Sequence, residues 1–483
     1  MSMFDRTFHP DEANQAFTTG RLLETGAYSY NPQDHHGPTL YYAAATLQKA
    51  AGNGSTASLN ATLLRCTPLL FAVLAIVFGF LALKRITKRT WPAFAFAALL
   101  GTSPIFVFFA TDFIQEMLLA SFTMMMLWAG AGYLVPGDRF KPGTWALLFG
   151  IAAGLAFATK ETSVLTFAAA SVAAIPFAWK RALRVRARDA VLAVMGFVLT
   201  AILLYSSFAS NWQGVYNAFI AAPLSYLNRA AGSAASQGAA AHVHPWWQHF
   251  RWLFAPELHT LSEWPVVIPV LAALFFGIRR NLPLLFAVCN ATALAVFYSA
   301  IPYKTPWCTL QIFIALAVAA ALALAFIADA PATRRLRLPG IAIFAALSLL
   351  SHGCGVVRMN SDPDSKRIPY NYASASPQAK ELAETVIAAM SRPRADGSPP
   401  AFAAVALPPE DTWPLPFYLR SVGGKVGYWT SFGELEALAG LGSKPDVVVV
   451  PAAEGHLVQP LFPHLKNTKR FEMRRRVRVR AFW

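Results

Sequence analysis

Charge is scarce in this chain. Of its 483 residues, 14% are Asp, Glu, Lys or Arg, whereas a soluble protein carries about 25%. Cysteine is scarcer still: Cys66, Cys289, Cys308 and Cys354 lie in or beside apolar runs, spaced for neither a zinc knuckle nor a disulfide framework. Residues 1–60 hold no continuous apolar core, which excludes a signal peptide there. Neither GxGxxG nor a P-loop occurs, so no nucleotide site is indicated.

What is present is apolar. Hydrophobic residues make up 55% of the chain and the mean hydropathy is +0.42. Ten runs are long enough, or nearly so, to cross a bilayer: 65–83, 91–110, 113–135, 144–159, 162–179, 190–209, 263–278, 282–301, 308–328 and 338–354. The pattern predicts an α-helical polytopic membrane protein, with a membrane domain over 1–354 and a small α/β domain over 355–483.

The net charge of +16 would suggest nucleic acid in a soluble protein. Here the basic residues cluster in alternate connections: "KRITKR", "GDRFK", "WKRALRVRAR", the pair at Arg279 and "RRLR". Positive loops stay inside, so the N-terminal segment, the alternate connections and the C-terminal domain are expected outside the cell (inner) membrane, with no nucleic-acid partner. Nothing ahead of Asp11 would carry it across, so a preceding helix outside this chain is expected.

Residues 13–25 and 37–52 read as helices with one apolar side, too short or too polar to span, lying along the outer surface. Residues 210–262 read as a long outer loop, with a mobile Gly/Ala/Ser-rich stretch and then the aromatic cluster "PWWQHFRWLF". Beyond 355, residues 376–391 read as an amphipathic helix, and "AFAAVAL", "PDVVVVP" and the basic, alternating tail as strands.

Polar residues on the outward side are the candidates for chemistry. Asp11 and Glu12, behind His9 and Pro10, could take a proton from a hydroxyl or hold a metal; they also fit the first turn of a helix. "DHHGP" offers Asp34, His35 and His36 as acid, base or metal ligand, or as a polar turn. Asp112 and Glu116 share a helix face at the lip of a span, where acids are costly. Lys160, beside Glu161, and Lys304, beside Tyr303, sit in short breaks between apolar runs. There a lysine suits a lipid phosphate or simply snorkels. Carboxylates that activate a hydroxyl, next to lysines that hold a phosphate, would move a group from a lipid phosphate to an acceptor. A divalent cation is possible.

"HPDEA", "RLLETGAYSYNP", "HHGPTLYY", "ATKET", "IPYKTPW" and "WPLPFYLR" followed by "VGYW" resemble the GT-C superfamily of membrane glycosyltransferases. That superfamily includes the dolichyl-phosphate-mannose–protein mannosyltransferases and the lipid A aminoarabinose transferases. The closest likeness is to the flippase-activity-associated proteins of archaeal-type glycosylation. The resemblance implies a GT-C-like fold and an inverting hexosyltransferase. Its donor would be a polyprenyl-phosphate-linked sugar, and its acceptor a protein or glycan of unknown identity at the outer lipid face. Asp11, with Glu12 beside it, would be catalytic. Asp112 would be the second outer acid, and Lys160, with Lys304 in the same kind of role, would face the lipid phosphate. A non-catalytic partner in flipping or handling lipid-linked sugars is the alternative.

Overall fold

The computed structural model describes residues 3–135, 137, 140–179, 185–225, 242–254, 262–275, 277–278, 281–329, 337–365, 367–371, 375–394, 397–474 and 477–483. Most of the Gly/Ala/Ser-rich stretch lies outside the described residues, as do parts of four basic clusters, at 138–139, 180–184, 279–280 and 334–336.

All ten apolar runs lie in helices. The first helices in the chain are α1 (Pro10–Thr25), α2 (Thr39–Ala50), α3 (Ala61–Thr87), α4 (Trp91–Thr102), α5 (Pro104–Ala110), α6 (Glu116–Leu134), α7 (Pro142–Phe157), α8 (Ser163–Trp179) and α9 (Ala187–Tyr205). They are followed by α10 (Gln248–Phe254), α11 (Trp264–Phe275), α12 (Leu282–Ala300), α13 (Thr309–Asp329) and α14 (Arg337–Ser361). Among the described residues six helices are long and apolar enough to cross a membrane, and α7, α8 and α11 are shorter apolar helices.

The run at 91–110, expected as one span, is a bent pair. Helices α4 and α5 meet at 67°. Pro104 cannot donate to the preceding turn, and Ser103 caps α5 instead, accepting from the Phe106 amide. Buried Glu263 accepts from the Ser103 hydroxyl at 2.8 Å and the Ile105 amide at 3.0 Å, satisfying donors that the bend frees.

The basic ends of the helices gather at one end of the bundle. Arg85 at the end of α3 donates to the Val135 carbonyl at 2.6 Å. Tyr133 of α6 donates to Asp189 of α9 at 3.1 Å, and Arg89 pairs with Asp329 at 2.5 Å. Helices α7 and α9 pack very closely: a Cβ added at Gly150 would lie 1.9 Å from the Ala193 carbonyl oxygen.

The C-terminal domain is a five-stranded sheet, β1 (Ala403–Ala406), β2 (Val426–Trp429), β3 (Val447–Pro451), β4 (Thr468–Arg474) and β5 (Val477–Phe482), in the order β2-β1-β3-β5-β4. Strands β1, β2 and β3 run parallel, while β5 pairs antiparallel with both β3 and β4. Helix α15 (Gln378–Met390) packs on one face, with Leu382 and Val386 against Val405, Val449, Phe471 and Val479. Helix α16 (Phe432–Gly440) covers the β1–β3 part of the other face through Phe432 and Leu435.

This domain grips the start of the chain. Phe417 stacks on Phe8 with ring centroids 4.2 Å apart, Tyr418 accepts from the Phe8 amide at 2.8 Å, and Trp413 packs on Phe17. Arg420 donates to the Leu59 carbonyl at 2.7 Å. Helix α1, expected to lie along lipid, is therefore covered by α2 and by residues 413–418, and nine of its residues are buried.

Candidate active site

The first turn of α1 is a capping box. His9 Nδ1 accepts from the Asp11 amide at 3.1 Å, and Glu12 Oε2 accepts from the His9 amide at 2.9 Å. Glu12 does more than cap. Arg65 of α3 grips it bidentately, Nε to Oε1 at 3.0 Å and Nη2 to Oε2 at 2.8 Å, and the Phe113 amide donates to Oε1 at 3.0 Å. Arg65 also donates to the Phe4 and Arg6 carbonyls and lies over the Phe8 ring. Burial opposes a charge on Glu12, but Arg65, Arg6 and the Phe113 amide outweigh it and hold its carboxyl at about 2. Glu12, expected with Asp11 as an outward acid able to take a proton or hold a metal, is thus sealed away from water. Asp11 keeps 49% of its side chain exposed.

Asp112 closes the same cluster. Arg6 donates to it at 2.9 Å, while burial and the Glu12 charge push its carboxyl above the usual carboxylate range. Arg6 and Arg65 went unremarked as site residues in the sequence. The signal was there for Arg65: a guanidinium at the mouth of an apolar run needs a buried acid.

A second group forms where α7 breaks into α8. Lys160 is buried and pairs with Glu116, whose backbone carbonyl accepts from Gln311 of α13 at 3.1 Å. Burial works against the ammonium, yet the Glu116 carboxylate raises its pKa overall. Thr39 and Thr159 share a hydrogen bond of 2.7 Å that ties α2 to this break. One residue on, Glu161 accepts from Tyr30 at 2.5 Å and meets His36 Nδ1 at 2.7 Å. Burial would raise its pKa, but His36 and Tyr30 bring the carboxyl down to about 2. Gly37 permits this approach, since a Cβ there would lie 2.2 Å from the Ala158 carbonyl oxygen. His35 is inward and occupied, with Nδ1 at 3.0 Å from Asp34 and Nε2 at 2.9 Å from the Ser29 carbonyl. That hydrogen bond to His35 is the chief reason the Asp34 carboxyl is lowered. His35 also lines a cavity of about 300 Å³ with Thr18, Arg21 and Tyr28.

A third group surrounds Lys304, in the break between α12 and α13. Its amide donates to the His242 carbonyl at 2.9 Å, and its ammonium donates to the carbonyls of His244 and Ile301. Burial lowers its pKa. The exposed Tyr303 ring lies tilted against His242, with centroids 4.8 Å apart; the His242 imidazole feels the Asp11 carboxylate and the His9 ring, although burial keeps its pKa low overall. His9 packs edge-on against Trp307 at 5.7 Å. Asp11, His9, His242, Tyr303 and Lys304 therefore share one region. The turn Pro306–Cys308 joins it to the Lys160 group, because Cys308 lies in the electrostatic field of Lys160 and Glu116. Among the described residues no three His, Cys, Asp or Glu side chains gather as a metal site.

Comparison with known proteins bears on the fold. The family model described as dolichyl-phosphate-mannose-protein mannosyltransferase matches residues 35–208. A search of curated proteins finds no match. The structure resembles that of ArnT from Cupriavidus metallidurans bound to undecaprenyl phosphate, with a TM-score of 0.64 and 15% identity, over 99% of this chain and 94% of that one. It also resembles the Archaeoglobus fulgidus oligosaccharyltransferase AglB in complex with an inhibitory peptide and a dolichol-phosphate. That match has a TM-score of 0.52 and 12% identity, over 93% of this chain and 66% of that one. The fold is that of the GT-C membrane glycosyltransferases, with a small C-terminal sheet domain.

Proposed function

We propose that the chain transfers a sugar, with inversion, from a polyprenyl-phosphate donor to a hydroxyl acceptor at the extracytoplasmic membrane face. The observation that carries this reading is that half-exposed Asp11 acts on the His242 imidazole while the amide of buried Lys304 donates to the His242 carbonyl, with no carboxylate within ion-pair distance of Lys304 among the described residues. Support also comes from the fold and from the lipid phosphates named for the ArnT and AglB structures.

In this mechanism Asp11 takes the proton of the acceptor hydroxyl. The hydroxyl oxygen attacks the anomeric carbon, and the bond from that carbon to the phosphate oxygen breaks. The electron pair leaves with the polyprenyl phosphate, where Lys304 meets the growing negative charge. A single displacement inverts the anomeric centre. Lys304 is the first choice for the phosphate because its ammonium donates to carbonyls and has no ion-pair partner among the described residues. Lys160 is held by Glu116 and serves as the second cation. Glu12 positions Asp11 through the capping box and takes no proton itself. The gathering of the basic helix ends at the opposite end of the bundle supports an outward-facing site in the inner membrane.

The test uses purified, reconstituted protein and a radiolabelled polyprenyl-phosphate sugar. Asp11→Asn is expected to abolish transfer while leaving the melting temperature and donor binding intact. Full transfer by that variant removes the proposal.

A further inference from the structure

The sheet of the C-terminal domain has one face that its own helices do not finish covering. Along β4 and β5, Phe471, Met473, Val479 and Ala481 turn into the core against α15. The alternating residues Arg470, Glu472, Arg478 and Arg480 lie on the opposite face. Helix α16 covers that face over β1 and β3, and Val458, Phe462 and Leu465 cover Phe482 at the end of β5, leaving Arg470 and Arg478 exposed and Arg480 part-exposed.

The register places Arg470 directly opposite Arg480, and Glu472 opposite Arg478. Like charges directly opposite each other destabilise a strand pair, so folding gives no reason for the first pairing. Guarding an edge explains a charge on β4, which is the edge strand, but not two arginines on β5, which is internal. None of these three arginines has a carboxylate within ion-pair distance among the described residues. Arg480 is also seated. A Cβ on Gly455 would lie 2.9 Å from its Cδ, so the glycine lets the side chain lie flat across the turn after β3.

The direction of this face matters. Helix α15, on the other side of the sheet, reaches the N-terminal segment: Lys380 donates to the Asp5 carbonyl, and the helix packs on residues 415–418, which hold Phe8. The arginine face therefore points away from the bundle, and so away from the lipid around it.

We infer that this β5–β4 face, through Arg470, Arg478 and Arg480, docks an acidic glycan that carries carboxylate or phosphate groups along its chain. Three guanidiniums along one face of a strand pair read repeated anions by their forked donors. The inference rests on the glycosyltransferase reading for its biological sense, since the docked chain would be the acceptor. Its test does not depend on catalysis.

Full-length protein in neutral nanodiscs is titrated with a fluorescent polygalacturonate oligomer. Binding is expected to weaken as salt rises, to fall roughly tenfold in the Arg478→Gln/Arg480→Gln double variant, and to survive in Asp11→Asn. The charge-keeping Arg478→Lys/Arg480→Lys variant is expected to retain most of it. Should the double glutamine variant fail to fold, Arg470→Gln alone is expected to give a smaller, salt-sensitive loss. Unchanged binding in the folded glutamine variants overturns the inference. So does a wild-type preference for polyglutamate, or for phosphatidylglycerol vesicles, over the glycan. If Asp11→Asn retains full transfer while the arginine variants lose the glycan, the catalytic reading fails and the docking face stands.

Discussion

Asp11 and Glu12 are neighbours with opposite surroundings. Glu12 faces inward to two arginines and a backbone amide, while Asp11 faces the region of His242 and Lys304. A buried ion pair broken on one side leaves an uncompensated charge. Arg65→Met is therefore expected to cost about 3–5 kcal/mol in an unfolding titration, and adding Glu12→Leu is expected to recover much of the loss. Glu161 gives a pH dependence. Its folded carboxyl, at about 2, lies below the ordinary value of 4.5. Its contribution to stability is thus fully present above that ordinary value and is lost as pH falls towards 2. Melting temperatures measured across this acid range are expected to fall more steeply for the wild type than for Glu161→Gln. Lys304 has the opposite lean. Burial lowers its pKa from 10.5, so donor affinity is expected to drop as pH rises through that depressed value, before an ordinary lysine loses its proton. Lys304→Met is expected to remove this alkaline limb and raise the donor KM.

Among the elements, the two short breaks between helices position the site, and the first depends on close backbone approach. The loop carrying His36 and Gly37 lies directly on the end of α7, with the Thr39 amide donating to the Ala158 carbonyl at 3.3 Å. Gly37→Ala puts a methyl into that contact. It is expected to destabilise the fold by about 1–3 kcal/mol and to reduce the transfer rate much more than the melting temperature, because Lys160 and Glu161 follow directly. Paired rate and melting measurements check this. The apolar runs made the helices legible in the sequence, since a long apolar run leaves little choice but a helix, although six of them, rather than ten, are long enough to cross a membrane among the described residues. The bend at Ser103 was not legible: Pro104 allows a kink, but the acid that stabilises it, Glu263, comes from distant chain. In the C-terminal domain, "AFAAVAL" and "PDVVVVP" announced β1 and β3. Strand β4 was hidden because its residues, "TKRFEMR", bury only every second side chain at one end.

At the scale of the whole molecule, the C-terminal domain is part of the site's support. Phe417 and Tyr418 hold Phe8, which lies against Arg65, which in turn grips Glu12 and the turn that presents Asp11. Ending the chain after Ser361 is expected to lower the melting temperature and abolish transfer even though every proposed catalytic group remains, as melting curves and transfer assays on the truncated protein would show. The residue types, and their place at the ends of apolar runs, were readable in the sequence. Which acid would be wet and which sealed was not readable, because that depends on arginines brought in by folding.

The claim on which these readings rest is that Asp11 and Lys304 flank a single lipid-linked donor. A structure determined in nanodiscs with bound undecaprenyl phosphate tests it most directly. The expected result is a phosphate within about 4 Å of Lys304 Nζ, with Asp11 facing the space next to it. A phosphate bound beyond the reach of Lys304, or on the far side of the bundle from Asp11, would contradict the account.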